Sequence, residues 1–409
     1  MPSTFTWLDY SERERRLMLD VISQFREQDT RDELGLGSVR DAFADLFFPG
    51  TSTIQTRARY FLFVPWIYWN LENKHVASNQ IAQRARSDEI KLIYALLASD
   101  DTAGVIGKDA KEKLQRLPSN VYWQGLGVWG IRTFPGSQAQ YHRRLDAFQA
   151  MAQRPQRNDD DEPIGDGQRA NWHSALPAAP DNFPVKATFQ LTRPEAEYLQ
   201  ERVLTQVPRT LLAWLVDRGR QVESVGFPWQ HPQLADFPDR IREQLDQARN
   251  FSEAIFGASL LYNLMLSELT KREDWIEDYR AKLAEWAQSV QNRQAELARW
   301  ASDLTKFWEL IAPTRIRVTL PTKRFIERWL MLALPPGAAA RVADQIEARD
   351  LIREREKQLK STLARLENLH ALELWNGAAG AYRLDYRWRV SQVLLNDILI
   401  GLKSGGNHA

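Results

Sequence analysis

The residues best placed to do chemistry stand together early in the chain, at Phe48-Pro49-Gly50-Thr51-Ser52-Thr53, followed by Arg57 and Arg59. A glycine turn with three hydroxyls leading into a helix offers unpaired backbone N–H groups and the positive end of a helix dipole. Two guanidinium groups one turn onward would complete a phosphate cradle. The same residues admit a structural reading, in which Thr51 or Ser52 is an N-cap, Gly50 supplies the turn, and the arginines pair with Asp41 or Asp45 of the preceding helix. A second candidate lies downstream. Between Thr51 and Leu145 there are thirteen Lys and Arg against seven Asp and Glu. Lys111 and its basic neighbours, with Asn120 and Gln124 positioned to meet base edges, could line a nucleic-acid-contacting face; equally, they could be ordinary solubilising charge. Arg387, in the basic cluster Arg383, Arg387 and Arg389, is a third candidate for an anion contact, with stacking on Tyr386 or Trp388 as the structural alternative.

Catalytic signatures are missing. The six histidines, His75, His142, His173, His231, His370 and His408, include no pair three or four residues apart, so a helical zinc-hydrolase site has no support. There is no Gly-x-Ser-x-Gly elbow, phosphate-binding Gly-rich loop or dinucleotide fingerprint. Cysteine is absent, which excludes disulfides, thiolate nucleophiles and thiolate metal sites. No catalytic residue, metal or cofactor is therefore assigned. The formal net charge is only +1, so any basic surface must be local. Met1 to Asp20 is charged and lacks the apolar core of a signal peptide, and the longest apolar run, Tyr60 to Trp69, contains Pro65 and is too short to span a bilayer. A cytoplasmic protein without membrane insertion is expected.

These candidates need helices to hold them. A capping box at Ser11-x-x-Glu14 should open a first helix, Ser38 to Phe48 a second, Thr53 to about Leu71 a third with Pro65 inside, and Ala77 to Leu97 a fourth. Lys108 to Leu117 and Ser119 to Trp129, joined at Leu117-Pro118, read as two short helices in a helix-turn-helix or winged-helix arrangement. Gln153 to Pro184 is rich in Pro, Asp, Asn and Gly, and reads as a linker or mobile loop. After an extended lead-in or short strand at Lys186 to Leu191, Thr192-x-x-Glu195 with Pro194 starts another helix. From Ile276 to Ile311 a three-four spacing places Ile276, Tyr279, Leu283, Trp286, Val290, Arg293, Leu297, Trp300, Leu304, Phe307 and Ile311 on one stripe. That period predicts a helix on the order of 50 Å long, pressed on partner helices. The expected fold is mainly α: a helical domain over 1–150 that could contact nucleic acid, a flexible linker over 151–185, and a partner-docking bundle of long helices over 186–409.

Several blocks are familiar as a set: Trp7-Leu-Asp-Tyr10, Asp41-Ala-Phe-Ala-Asp-Leu-Phe-Phe-Pro-Gly-Thr-Ser52 with Arg57-Ala-Arg-Tyr60, Leu117-Pro-Ser-Asn-Val-Tyr-Trp123, and Leu384-Asp-Tyr-Arg-Trp388. Together they resemble a bacterial family of unknown function, of about this length, whose members tend to be encoded in mobile defence islands beside helicases. The resemblance covers the whole chain and carries no catalytic residues. It implies a bacterial cytoplasmic setting and a part in anti-phage defence. The reading that joins it to the residues is a non-enzymatic component that contacts nucleic acid through its amino-terminal region and protein partners, a helicase among them, through its helical region. Two alternatives stand beside it: a purely structural scaffold, and a metal-dependent enzyme acting on nucleic acid, for which distant carboxylates such as Asp41, Asp45 and Asp385 would have to converge.

Overall fold

A computed structural model describes residues 33–152, 171–221 and 223–404. The helix expected from Ser11 and the acidic run Asp159 to Glu162 lie outside these. Among the described residues the fold is mainly α, as expected. In chain order, α1 (Gly37–Phe47), α2 (Tyr60–Asn73), α3 (Ile81–Leu97), α4 (Pro118–Val128), α5 (Gln138–Ala152), α6 (Arg193–Gln206) and α7 (Leu211–Arg218) come first. They are followed by α8 (Asp239–Thr270), α9 (Glu273–Asn292), α10 (Gln294–Ser302), α11 (Thr305–Ile311), α12 (Leu320–Ala333), α13 (Ile346–Lys360), α14 (Leu369–Glu373) and α15 (Trp388–Lys403). No strand forms among the described residues, and Lys186 to Leu191 is an irregular segment with bends at Lys186 and Phe189; one isolated antiparallel bridge joins Arg132 and Trp172.

The chain divides into two compact units. Among the described residues the first contains 48–152, 171–221, 223–224 and 387–404; the second contains 33–47 and 225–386. The first is built around α2, whose residues Tyr60 to Tyr68 are all buried, the pattern of a helix enclosed on every side. Phe61 stacks on Trp129 at 3.9 Å, and Trp66 donates its indole N–H to Pro177 O at 2.7 Å. The carboxy-terminal part of the Pro-rich segment thus packs on this core, with Trp172, Leu176 and Phe183 buried. The helix α6 starts as its sequence dictates, with Thr192 N–H donating to Glu195 Oε2 at 2.9 Å and Glu195 N–H to Thr192 Oγ1 at 3.4 Å.

The second unit is organised on α8, 32 residues long. The stripe from Ile276 to Ile311 is satisfied against it within the unit, but not as one rod. The helix breaks at Arg293 and again between Ser302 and Thr305, giving α9, α10 and α11. The first break falls at the one polar position of the stripe. There the guanidinium turns to Glu253 and Asn250 of α8 and to Glu296 of α10. The second is fixed by Asp303, which accepts from Thr305 N–H at 2.9 Å. Tyr279, Leu283, Trp286, Val290, Leu297, Trp300, Phe307 and Ile311 remain buried across both breaks, while Ile276 and Leu304 are half-buried.

Candidate nucleic-acid interface

The segment Thr51 to Arg59 is an internal knot. Its N–H groups are already used: Ser52 N–H donates to Gln55 Oε1 at 3.2 Å, Thr56 and Arg57 N–H to Tyr122 Oη at 2.9 and 3.1 Å, and Ala58 N–H to Asp397 Oδ2 at 2.9 Å. Thr51 donates its hydroxyl to Phe48 O at 2.7 Å, and its own carbonyl accepts from Arg387 Nη1 at 2.9 Å. Arg57 is fully buried. Its Nε lies 2.9 Å from Asp397 Oδ2 and its Nη1 2.6 Å from Asp101 Oδ2. Burial works against the charge on Arg57, but Asp397 and Asp101 more than offset it and leave the guanidinium harder to deprotonate than usual. Arg59 reaches Glu195 Oε1 at 2.7 Å and Thr188 O at 2.9 Å.

Of the residues in the phosphate reading, Thr51, Ser52, Arg57, Arg59 and Arg387 are each engaged by the protein's own groups, while Ser52 Oγ, Arg57 Nη2 and Arg59 Nε are buried without a hydrogen-bond partner among the described residues. The arginines do pair internally, though with Asp397, Asp101 and Glu195, and Asp41 bonds its neighbour Arg40 instead. Asp397 carried a signal that the sequence reading passed over, a lone acid in the apolar run from Val393 to Leu399.

The helix-turn-helix expectation also changes form. Lys108 to Leu117 makes turns and a single 3-10 turn at Lys111–Lys113, not an α-helix, because Gly107 and Lys111 take left-handed conformations at φ +85° and +46°. What stands at its place is a ridge. Arg86 holds the segment from below, donating to Leu114 O at 2.9 Å and Glu112 O at 2.5 Å. Asn120 closes it, accepting from Leu117 N–H at 3.0 Å and donating to Gln138 Oε1 at 2.5 Å. Lys108, Lys111, Lys113, Arg116, Asn120 and Gln124 are all exposed.

Beneath the ridge, local acids face inward. Glu89 on α3 is fully buried and accepts from Ser119 N–H at 2.8 Å and Ser119 Oγ at 2.7 Å, so the positive end of α4 is filled by an internal carboxylate. Burial pushes the Glu89 carboxyl up to about 7, against the pull of the Ser119 bonds and Arg86. Gln138 Nε2 carries the network on to Ser119 Oγ at 2.9 Å and Tyr68 Oη at 2.6 Å, and Tyr68 Oη lies 3.1 Å from His142 Nε2. Glu72 accepts from Asn171 Nδ2 at 3.0 Å and Trp172 Nε1 at 3.1 Å, and from Tyr141 Oη; burial raises its pKa. Asp101 is bound to Arg57. Of the seven acids in this stretch, then, Glu89 is fully buried and Glu72 and Asp101 are half-buried, while three of its bases, Arg57, Arg59 and Arg132, are buried.

Among the described residues no three His, Asp or Glu side chains stand close enough to hold a metal, and no helix is long and apolar enough to cross a membrane. Asp41, Asp45 and Asp385 do not form the convergent cluster that the enzyme alternative required. No curated protein and no solved structure matches the chain. The profile of a family of unknown function does, over residues 2–400, nearly the whole length. The chain therefore belongs to DUF6361, a family of unknown function.

Proposed function

We propose that this protein is a non-enzymatic binding component whose first unit contacts nucleic acid through the ridge Lys108 to Asn120. The observation that carries this reading is the row of exposed cations on one short segment. Lys108, Lys113 and Arg116 are exposed and have no carboxylate partner among the described residues, and with Lys111 they outnumber the two exposed acids of the segment, Asp109 and Glu112. Closely spaced unpaired cations on a tethered segment suit a phosphate backbone. Lys111, Asn120 and Gln124 belong to the same surface, where Lys111 flanks the Tyr94 ring at 5.9 Å. The second unit would serve the protein partner, offering Leu363, Leu369 and Leu374, each at least two-thirds exposed. A helicase partner and an anti-phage role rest on the family resemblance.

The test is fluorescence anisotropy of the full chain with single-stranded and duplex DNA from low to moderate salt. Wild type should bind with a strong salt dependence, and K108E/K113E/R116E should lose at least tenfold in affinity, with the salt slope reduced by about 3. Absence of binding at low salt, or equal binding by the variant, overturns the reading.

A further inference from the structure

We infer that the groove between α12 and α13 in the second unit is a binding site for a small phosphorylated ligand, a phosphate monoester of nucleotide size. The groove encloses about 370 Å³, the size of pocket that takes a small organic molecule. Its walls bring Arg324, Arg328 and Arg355 against a single carboxylate, Glu354. Three guanidinium groups less one carboxylate leave a charge of +2, the complement of a phosphate monoester dianion.

The three arginines stand in different states. Arg355 is buried and its donors are spent on Leu34 O at 2.8 Å, Gln358 Oε1 at 3.1 Å and Thr322 Oγ1 at 2.9 Å, so it contributes fixed positive potential at the floor. Arg328 holds Glu354 at 3.2 Å on the exposed rim. Arg324 is exposed and, among the described residues, has no hydrogen-bond or ion partner, whereas its neighbours on these two helices, Arg328 and Arg353, each have a carboxylate. Arg324 and Arg328 are four apart on one helix, so their side chains share a face; Glu354 compensates Arg328 and leaves Arg324 as the open cation. A phosphoryl group offers three acceptor oxygens to such a pair of planar forks. Phe325 and Leu351 give the rest of the groove an apolar lining suited to the organic part of the ligand.

The experiment is calorimetry on the full chain with adenosine monophosphate as probe, and with adenosine and inorganic phosphate as the two comparison arms. Adenosine monophosphate should bind one to one, adenosine should not bind, and inorganic phosphate should bind more weakly than the nucleotide. R324E should weaken the nucleotide at least tenfold, while R143A, an equally exposed arginine of the first unit, leaves it unchanged. Circular dichroism checks that R324E is folded, and R324Q replaces it if helicity is lost. No binding of the nucleotide at millimolar concentration, equal binding of adenosine, phosphate binding as tight as the nucleotide, or affinity untouched by the Arg324 substitutions would each overturn the assignment.

Discussion

Asp397 sits in the sequence as the one acid of an apolar helix, and in the fold it holds Arg57 and the Ala58 amide at once, both at 2.9 Å. Removing Asp397 leaves the buried Arg57 with Asp101 as its one carboxylate. D397N is expected to lower unfolding free energy by about 3 kcal/mol, measured by denaturant titration, whereas R57M/D101N/D397L should recover much of that loss because no charge of the cluster is left unpaired. Wild-type stability in D397N contradicts the internal role given to Arg57. Glu89 makes a pH prediction. Its carboxyl is raised to about 7 by burial, from an ordinary value of 4.5, so folding favours the protonated form. Its contribution is fully present below about pH 4.5 and is lost as pH rises through about 7. E89Q, which stays neutral, should gain on wild type across that window by about 3 kcal/mol; a constant difference between pH 4.5 and 8 rules this out. These partners were hard to read in the sequence for a physical reason. The Thr192–Glu195 capping box is local and can be read from spacing, whereas Arg57 and Asp397 are 340 positions apart and meet only because α15 returns to the first unit.

Element by element, hydrophobic period located the helices and local backbone chemistry ended them. The seam from Ile276 to Ile311 was legible as one buried face, because burial depends on period. Its breaks were not, because they depend on bonds that Arg293 makes to α8 and on the turn at Asp303. Lys108 to Leu117 shows the converse: helix-compatible residues fail to form a helix where Lys111 takes a left-handed conformation. Close helix packing makes its own prediction. Gly257 on α8 lies under the Trp286 ring, and a Cβ there would come within 2.3 Å of it. The same indole donates to Glu253 O at 2.8 Å, so it is not free to swing away. G257A should lose about 1 to 3 kcal/mol by thermal or chemical unfolding through overpacking. If G257A is as stable as wild type, α8 and α9 do not meet as described.

For the whole molecule, a formal net charge of +1 says almost nothing, because it averages a surface over a core. What the sequence could not supply was which charges are inside: Glu89 is buried, and so are Arg57, Arg59 and Arg132. Lys108 to Arg116 carries four bases against Asp109 and Glu112 and forms a cationic edge with Asn120 and Gln124 beside it. The segment Thr51 to Arg59 is held by internal bonds. Membership of DUF6361 assigns the chain no chemistry, so the interface carries the functional claim. Photo-crosslinking of single-stranded DNA to the full chain, with mass-spectrometric mapping of the attached residues, tests that claim most directly. The account predicts adducts concentrated between Lys108 and Gln124; adducts confined to other segments, or none at low salt, would contradict it.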